Sequence, residues 1–100
     1  MIRPACIEDT DEILALIYEL AVYEKAPDEA TAKAEQIKQS FFGDNPQVFC
    51  EIVEHDGQIA GFAIWFLNYS TWQGLHGIYL EDLFIRPQFR SLGYGKDLLK

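Results

Sequence analysis

The dipeptide Asp56-Gly57 constrains this chain more than any other feature of it. Glycine tolerates the positive φ that a tight hairpin turn demands, and Asp-Gly is among the strongest short-range signals for such a turn. The flanking segments agree with it. Val48 to His55 is rich in Val, Ile and Phe, and Gln58 to Tyr69 carries apolar residues toward both faces, as a central, doubly covered strand does. The sequence therefore predicts an antiparallel pair over 48–54 and 59–66.

Around that pair the pattern changes period. Met1 to Ala5 reads as a short strand, with Pro4 near its end or on an edge. Asp9 or Thr10 then caps a helix in which Ile13, Leu16, Ile17, Leu20 and Ala21 recur at helical spacing. It fades near Tyr23-Glu24-Lys25, and Pro27 bars its continuation. A second, more polar helix is expected from about Thr31, with Ala34, Ile37, Lys38 and Phe41 on one face and Gly43 and Asn45-Pro46 as its stop. Asn68 to His76 reads as a polar, aromatic-bearing loop. Gly77 to Ile85 reads as a further strand, ended by Arg86-Pro87. A glycine-containing turn and a helix from about Tyr94 follow, and the sequence stops at Lys100 within that helix. The expected fold class is α/β, a mixed and mostly antiparallel sheet flanked by helices, in the order β-α-α-β-β-β-α. Residues 1–100 are expected to form a single domain, truncated in its last helix.

Composition narrows the chemistry. Half of the chain (49%) is apolar and 14% is aromatic, which is ample for a folded core. The net charge of −8, from 8 basic and 16 acidic residues, speaks against nucleic acid, since neutralising phosphates requires clustered Lys and Arg. A negative field favours cationic ligands such as amines, although acidity also simply keeps a surface soluble. Cys6 and Cys50 are too few for a disulfide scaffold and read as small core residues in a reducing, cytoplasmic setting. Met1 to Pro4 is not followed by the apolar run of a secretory signal. The longest apolar run, Ile59 to Leu67, is about half of the ~20 residues a membrane helix needs, so no membrane partner is expected. His55 and His76 have no partner cysteines at metal-ligand spacing, so no metal is expected, and His55 reads as a solvated residue beside the hairpin.

The segment Arg90-Ser91-Leu92-Gly93-Tyr94-Gly95 follows a strand and opens a helix. Backbone N–H groups at a helix start lack intrahelical partners and carry partial positive charge, so a pyrophosphate can sit there if no side chain intervenes. Gly93 and Gly95 leave that clearance, and Arg90 supplies a charge-assisted donor. By itself a Gly-x-Gly is a weak signal, equally that of an ordinary strand-to-helix turn. Neither a dinucleotide-binding nor a phosphate-loop fingerprint is present.

Set in its surroundings, the segment resembles the R/Q-x-x-G-x-G/A turn of the GNAT acetyltransferase superfamily. Leu83-Phe84-Ile85-Arg86-Pro87-Gln88-Phe89 is similar to the strand and bend that lead into that turn. Tyr79-Leu80-Glu81-Asp82 resembles a segment of the diamine acetyltransferases, the spermidine/spermine and thialysine group. Ile2-Arg3-Pro4-Ala5 and Glu19-Leu20-Ala21-Val22-Tyr23-Glu24 are similar to that group's first strand and helix. The resemblance implies transfer of acetyl from acetyl-CoA to a small cationic amine, and a homodimer. Leu83, Phe84 and Ile85 would bond the pantetheine arm through their backbones. Arg90, Ser91, Leu92, Gly93, Tyr94, Gly95 and Lys96 would hold the pyrophosphate. Glu81 would help to deprotonate the amine through water, and Tyr23 and Glu24 would touch the acceptor. The family's general acid, a tyrosine on a later helix, lies beyond the residues present. Polyamine-specific relatives carry an acidic residue where this chain has Ser70, which leaves thialysine-like and other small amines open.

Each candidate also has a plainer reading. Glu81 and Asp82 interrupt an apolar strand, and mid-strand carboxylates are more often simply paired or hydrogen-bonded. Neighbouring strand residues face opposite ways and so should play different parts. It is the resemblance that implies Glu81 as the base and Asp82 as a structural or orienting residue. Tyr23-Glu24 equally fits the solvated end of a helix. Trp72 could line the acceptor pocket or cover the edge of the core. Two rival functions remain: acetylation of a protein or peptide amine, and non-catalytic binding of an acyl-CoA.

Overall fold

The computed structural model of the protein describes residues 1–94. Four strands form one sheet in the order β1-β2-β3-β4: β1 (Ile2–Pro4), β2 (Val48–His55), β3 (Gln58–Ser70) and β4 (Leu75–Ile85). All three pairings are antiparallel. Two helices, α1 (Thr10–Tyr23) and α2 (Ala34–Phe42), separate β1 from β2. The α/β class and the β-α-α-β-β-β part of the expected order are observed, and the last helix of that order falls mostly outside the described residues.

The Asp56-Gly57 turn closes β2 on β3 as expected. Both residues have positive φ, 50° and 79°, which matches the right-handed twist of the strands they join. Pairing runs from His55 opposite Gln58 to Val48 opposite Phe66. Aromatic pairs pin the registers further out: Phe49 stacks on Trp65 with 4.6 Å between centroids, and Phe66 on Tyr79 at 4.9 Å.

The apolar stripe of α1 explains the core. Ile13 and Leu16 are fully buried and meet Ile37 of α2 over Cys50, Ile52, Phe62, Ile64 and Phe84 of the sheet. Fully burying a side chain of this kind contributes about 1.5–3 kcal/mol. A second, smaller cluster of Val53, Ala60, Ile85 and Phe89 packs with Ile2 and Tyr94. α1 ends where the sequence suggests: Lys25 adopts a left-handed conformation with φ of 63°, and the Ala26 N–H donates to the Ala21 carbonyl at 2.8 Å.

Four details depart from the sequence reading. α2 starts at Ala34 rather than near Thr31. The segment before it makes a 3-10 turn at Pro27–Glu29, and the Gln36 side chain accepts from the Lys33 N–H at 2.8 Å, which sets the later start. The expected 68–76 loop is mostly strand, because a compact turn at 71–74 suffices; Gly74, with φ of 66°, donates its N–H to the Ser70 carbonyl. Asp9 precedes α1, yet its carboxylate accepts from the Cys6 N–H and from Arg3 rather than from the helix. Finally, Cys50 is buried but Cys6 is exposed, because it sits at the junction of β1 and the turn before α1.

Candidate active site

Two neighbouring grooves form where the C-terminal end of α1 meets β4. One, of about 480 Å³, is lined by Leu20, Tyr23, Glu24, Leu83, Phe84, Ile85 and Arg90. The other, of about 380 Å³, is lined by Ile17, Leu20, Ala21, Glu24, Ala26, Glu29, Ala30, Glu81 and Asp82. Leu20 and Glu24 border both. The grooves thus bring together Tyr23, Glu24, Glu81, Asp82, Leu83, Phe84, Ile85 and Arg90, eight of the residues singled out in the sequence.

A break in the β3–β4 register shapes the acidic groove. Ile64 pairs with Asp82, and the next residue, Trp65, pairs with Leu80. Glu81 is therefore the extra residue of a bulge, and bulges re-aim side chains. That is how two successive strand residues, Glu81 and Asp82, come to border one groove. Glu81 is exposed and Asp82 half-buried. Burial pushes the Asp82 carboxyl up from its ordinary range, and the negative charges of Glu81 and Glu24 push it in the same direction. The groove therefore disfavours its own negative charge and is poised to accept a positive one.

β4 is the last strand of the sheet among the described residues, so Leu83–Ile85 border the larger groove from a sheet edge. β3 reaches its other side very closely at Gly61. A Cβ there would lie 2.3 Å from the Phe84 carbonyl oxygen and 2.9 Å from the Ile85 Cα, so only glycine permits this approach. Beyond β4, Arg86 ties the strand end to α1: its guanidinium donates to Glu19 at 2.8 and 3.0 Å, to Glu12 at 3.2 Å and to the Ile59 carbonyl at 2.9 Å.

The chain then turns through a 3-10 helix at Pro87–Leu92, and Gly93 adopts φ of 81°. A Cβ on Gly93 would meet nothing within 4 Å, so the backbone there is unobstructed, as approach of a diphosphate requires. Arg90 does not extend away from the fold. Its Nε donates to the Ile85 carbonyl at 2.8 Å, and its guanidinium lies over the rings of Tyr23 and Phe84. Leu92 is exposed and Tyr94 half-buried. Gly95 and Lys96 lie outside the described residues, as does most of the helix expected from Tyr94.

Trp72 is not part of these grooves. It is 98% exposed at the tip of the β3–β4 hairpin, because both strands run on past the acidic groove. Glu29 is not among the candidates the sequence offered, and His55 departs from its reading as a solvated residue. Glu29 reaches the acidic groove through the turn at Pro27, for which the proline was the only available signal. His55 is not a free solvated residue: its Nδ1 lies 2.6 Å from the Tyr94 hydroxyl, and nothing local in the sequence announces that contact.

Comparison with known proteins identifies the family. The profile described as the acetyltransferase (GNAT) family matches residues 7–100. A thialysine N-epsilon-acetyltransferase of Bos taurus is 37% identical over an alignment covering all of this chain and 63% of that protein. A human spermidine/spermine N(1)-acetyltransferase-like protein 1 is 37% identical across 99% of this chain and 15% of that protein. The chain thus spans less than two thirds of the length of the thialysine relative it matches. Among solved structures, an integron cassette protein from the mobile metagenome of Cole Harbour Salt Marsh superposes with a TM-score of 0.81 at 22% identity, covering 98% of this chain and 64% of that one. With the family profile spanning nearly its whole length, the chain belongs to the GNAT acetyltransferase family.

Proposed function

We propose that this chain carries the acyl-donor and amine-binding surfaces of an N-acetyltransferase that moves acetyl from acetyl-CoA to a small cationic amine of the diamine or thialysine type. The observation that carries this reading is the adjacency of the two grooves: Glu24, Glu81 and Asp82 border the acidic one, which touches the groove along Leu83–Ile85. An alkyl ammonium with a pKa of about 10.4 cannot attack until it loses a proton. Glu81, exposed at the bulge, is the group to take that proton through water, while Asp82 and Glu24 hold the cation. The amine nitrogen then bonds to the acetyl carbon as the carbon–sulfur bond breaks, and the departing sulfur takes up a proton. No covalent intermediate on the protein is required. Backbone groups of Leu83, Phe84 and Ile85 would hold the pantetheine arm, and the segment from Arg90 through Ser91, Leu92, Gly93, Tyr94, Gly95 and Lys96 the pyrophosphate.

The names of the thialysine and spermidine/spermine relatives support a small amine over a protein substrate. Two unpaired cysteines accord with a cytoplasmic setting. Among the described residues no helix is long and apolar enough to cross a membrane. A homodimer, which the resemblance implies, is part of this reading, and Leu67, Leu75 and Ile78, exposed on the β3–β4 hairpin, are apolar residues available to a contact between two copies. Titration calorimetry with acetyl-CoA, followed by a mass-spectrometric screen of diamines, thialysine-like amino acids and lysine peptides, tests the reading. Acetylation confined to peptides would replace the small-amine assignment, and absence of acetyl-CoA binding would overturn the donor site.

A further inference from the structure

Of the two histidines, His55 is the one built into the fold around the proposed donor site. It ends β2, 39 residues before Tyr94 in sequence, yet its Nδ1 lies 2.6 Å from the Tyr94 hydroxyl. The two rings meet edge-on with 5.8 Å between centroids, and His55 also tilts against Phe89 at 5.5 Å. Phe89 is buried with Val53, Ala60 and Ile85, so the ring rests on the second core cluster rather than on mobile surface. On its far side, His55 Nε2 faces the Asp56 carboxylate at 3.4 Å. With the ring proton on Nε2, Nδ1 is left to accept the Tyr94 O–H.

Tyr94 directly follows Gly93, the residue with positive φ in the turn. A glycine there loses more conformational freedom on ordering than any other residue would. A turn that offers its backbone N–H groups to a diphosphate binds better when that loss has been met before the ligand arrives. We infer that His55 is a positioning residue of the acyl-donor site, holding the Gly93-Tyr94 segment through the Tyr94 hydroxyl in the conformation that receives the diphosphate of acetyl-CoA. The inference rests on the donor site proposed above. It adds a residue from the β2–β3 hairpin that touches neither acetyl group nor amine.

Acetyl-CoA and S-acetylpantetheine, which lacks the diphosphate and nucleotide, separate positioning from general stability. Calorimetric titration of the chain with both ligands should show that His55→Leu weakens acetyl-CoA at least fivefold and leaves S-acetylpantetheine unchanged. Tyr94→Phe, which retains the ring and its packing, should reproduce the loss, and the double variant should lose no more than either single one. His55→Gln, whose side-chain oxygen can accept the same hydroxyl, should recover affinity to within twofold. Should His55→Leu fail to fold, Tyr94→Phe carries the test alone. Equal weakening of both ligands, or no weakening by Tyr94→Phe, would overturn the inference while leaving the donor site intact. A parent chain that binds acetyl-CoA no better than S-acetylpantetheine would overturn the diphosphate site and this inference together.

Discussion

The guanidinium of Arg90 lies 4.6 Å from the centre of the Tyr23 ring. One residue belongs to the turn expected to hold pyrophosphate, and the other to the end of α1 expected to touch the amine. With Nε bonded to the Ile85 carbonyl and Phe84 also beneath the charge at 5.4 Å, Arg90 is held over the groove along Leu83–Ile85, in contact with the Tyr23 ring that lines the same groove. Arg90→Met keeps the length of the side chain and removes its charge. Acetyl-CoA affinity measured by calorimetry should fall about tenfold, or ~1.4 kcal/mol. Urea denaturation should show a smaller loss of about 0.5–1 kcal/mol from the exposed cation–π contact. Arg90→Lys should restore part of the affinity and little of the stacking, since an ammonium lacks the planar face.

Glu81 is the bulge residue of β4, exposed beside a half-buried Asp82. Glu81→Gln preserves shape and removes the carboxylate proposed as the base. Its kcat/KM should drop about a hundredfold near neutral pH, within the usual range for a general base. The deficit should shrink toward high pH, where free amine becomes abundant. A pH–rate profile parallel to that of the parent protein would return Glu81 to a structural role.

Asp9 is 7% exposed and bound to Arg3 through hydrogen bonds of 2.7 and 2.9 Å, with the Cys6 N–H as a third donor. Arg3 also contacts Glu54, so the cluster joins β1, β2 and the start of α1. The Arg3 guanidinium is the main cause that lowers the Asp9 carboxyl from 3.8 to about 2. A depressed folded-state pKa stabilises the fold above the unfolded value, and that contribution is lost as pH falls through the folded value. The shift corresponds to something on the order of 2 kcal/mol. Asp9→Asn should lower stability by about that amount at pH 7. The difference from the parent chain should narrow as pH falls from about 4 to about 2, in urea titrations run at several pH values.

Gly61 admits no side chain without moving backbone, since a Cβ would run into the Phe84 carbonyl oxygen, the Ile85 Cδ1 and the Ile85 Cα. Gly61→Val should destabilise the fold by about 3 kcal/mol, the upper end for overpacking. Because Phe84 and Ile85 border the groove proposed to hold acetyl-CoA, any folded fraction should also bind acetyl-CoA more weakly. Thermal unfolding followed by circular dichroism checks the first effect and calorimetry the second.

Much of this protein was legible in order of residues alone. Asp56-Gly57 specified the central hairpin because Gly57 and its neighbour must both reach positive φ, a local demand met by local chemistry. The apolar spacing of Ile13, Leu16 and Leu20 placed α1 and its buried face, and Pro27 limited its length. The Gly93-containing turn after β4 and the Glu81-Asp82 pair could be named as candidate site residues, since their residue types carry the chemistry. Only the tertiary structure decided how they meet. The bulge at Glu81 arises from pairing with β3, so strict alternation would have sent the two neighbouring carboxylates to opposite faces of the sheet. Glu29 enters the acidic groove by a turn that no periodicity marks. Arg90 on Tyr23, His55 on Tyr94 and Trp72 left in solvent are likewise consequences of where strands end and how helices dock. Such contacts join residues tens of positions apart, and they depend on register and packing that composition and local spacing do not encode.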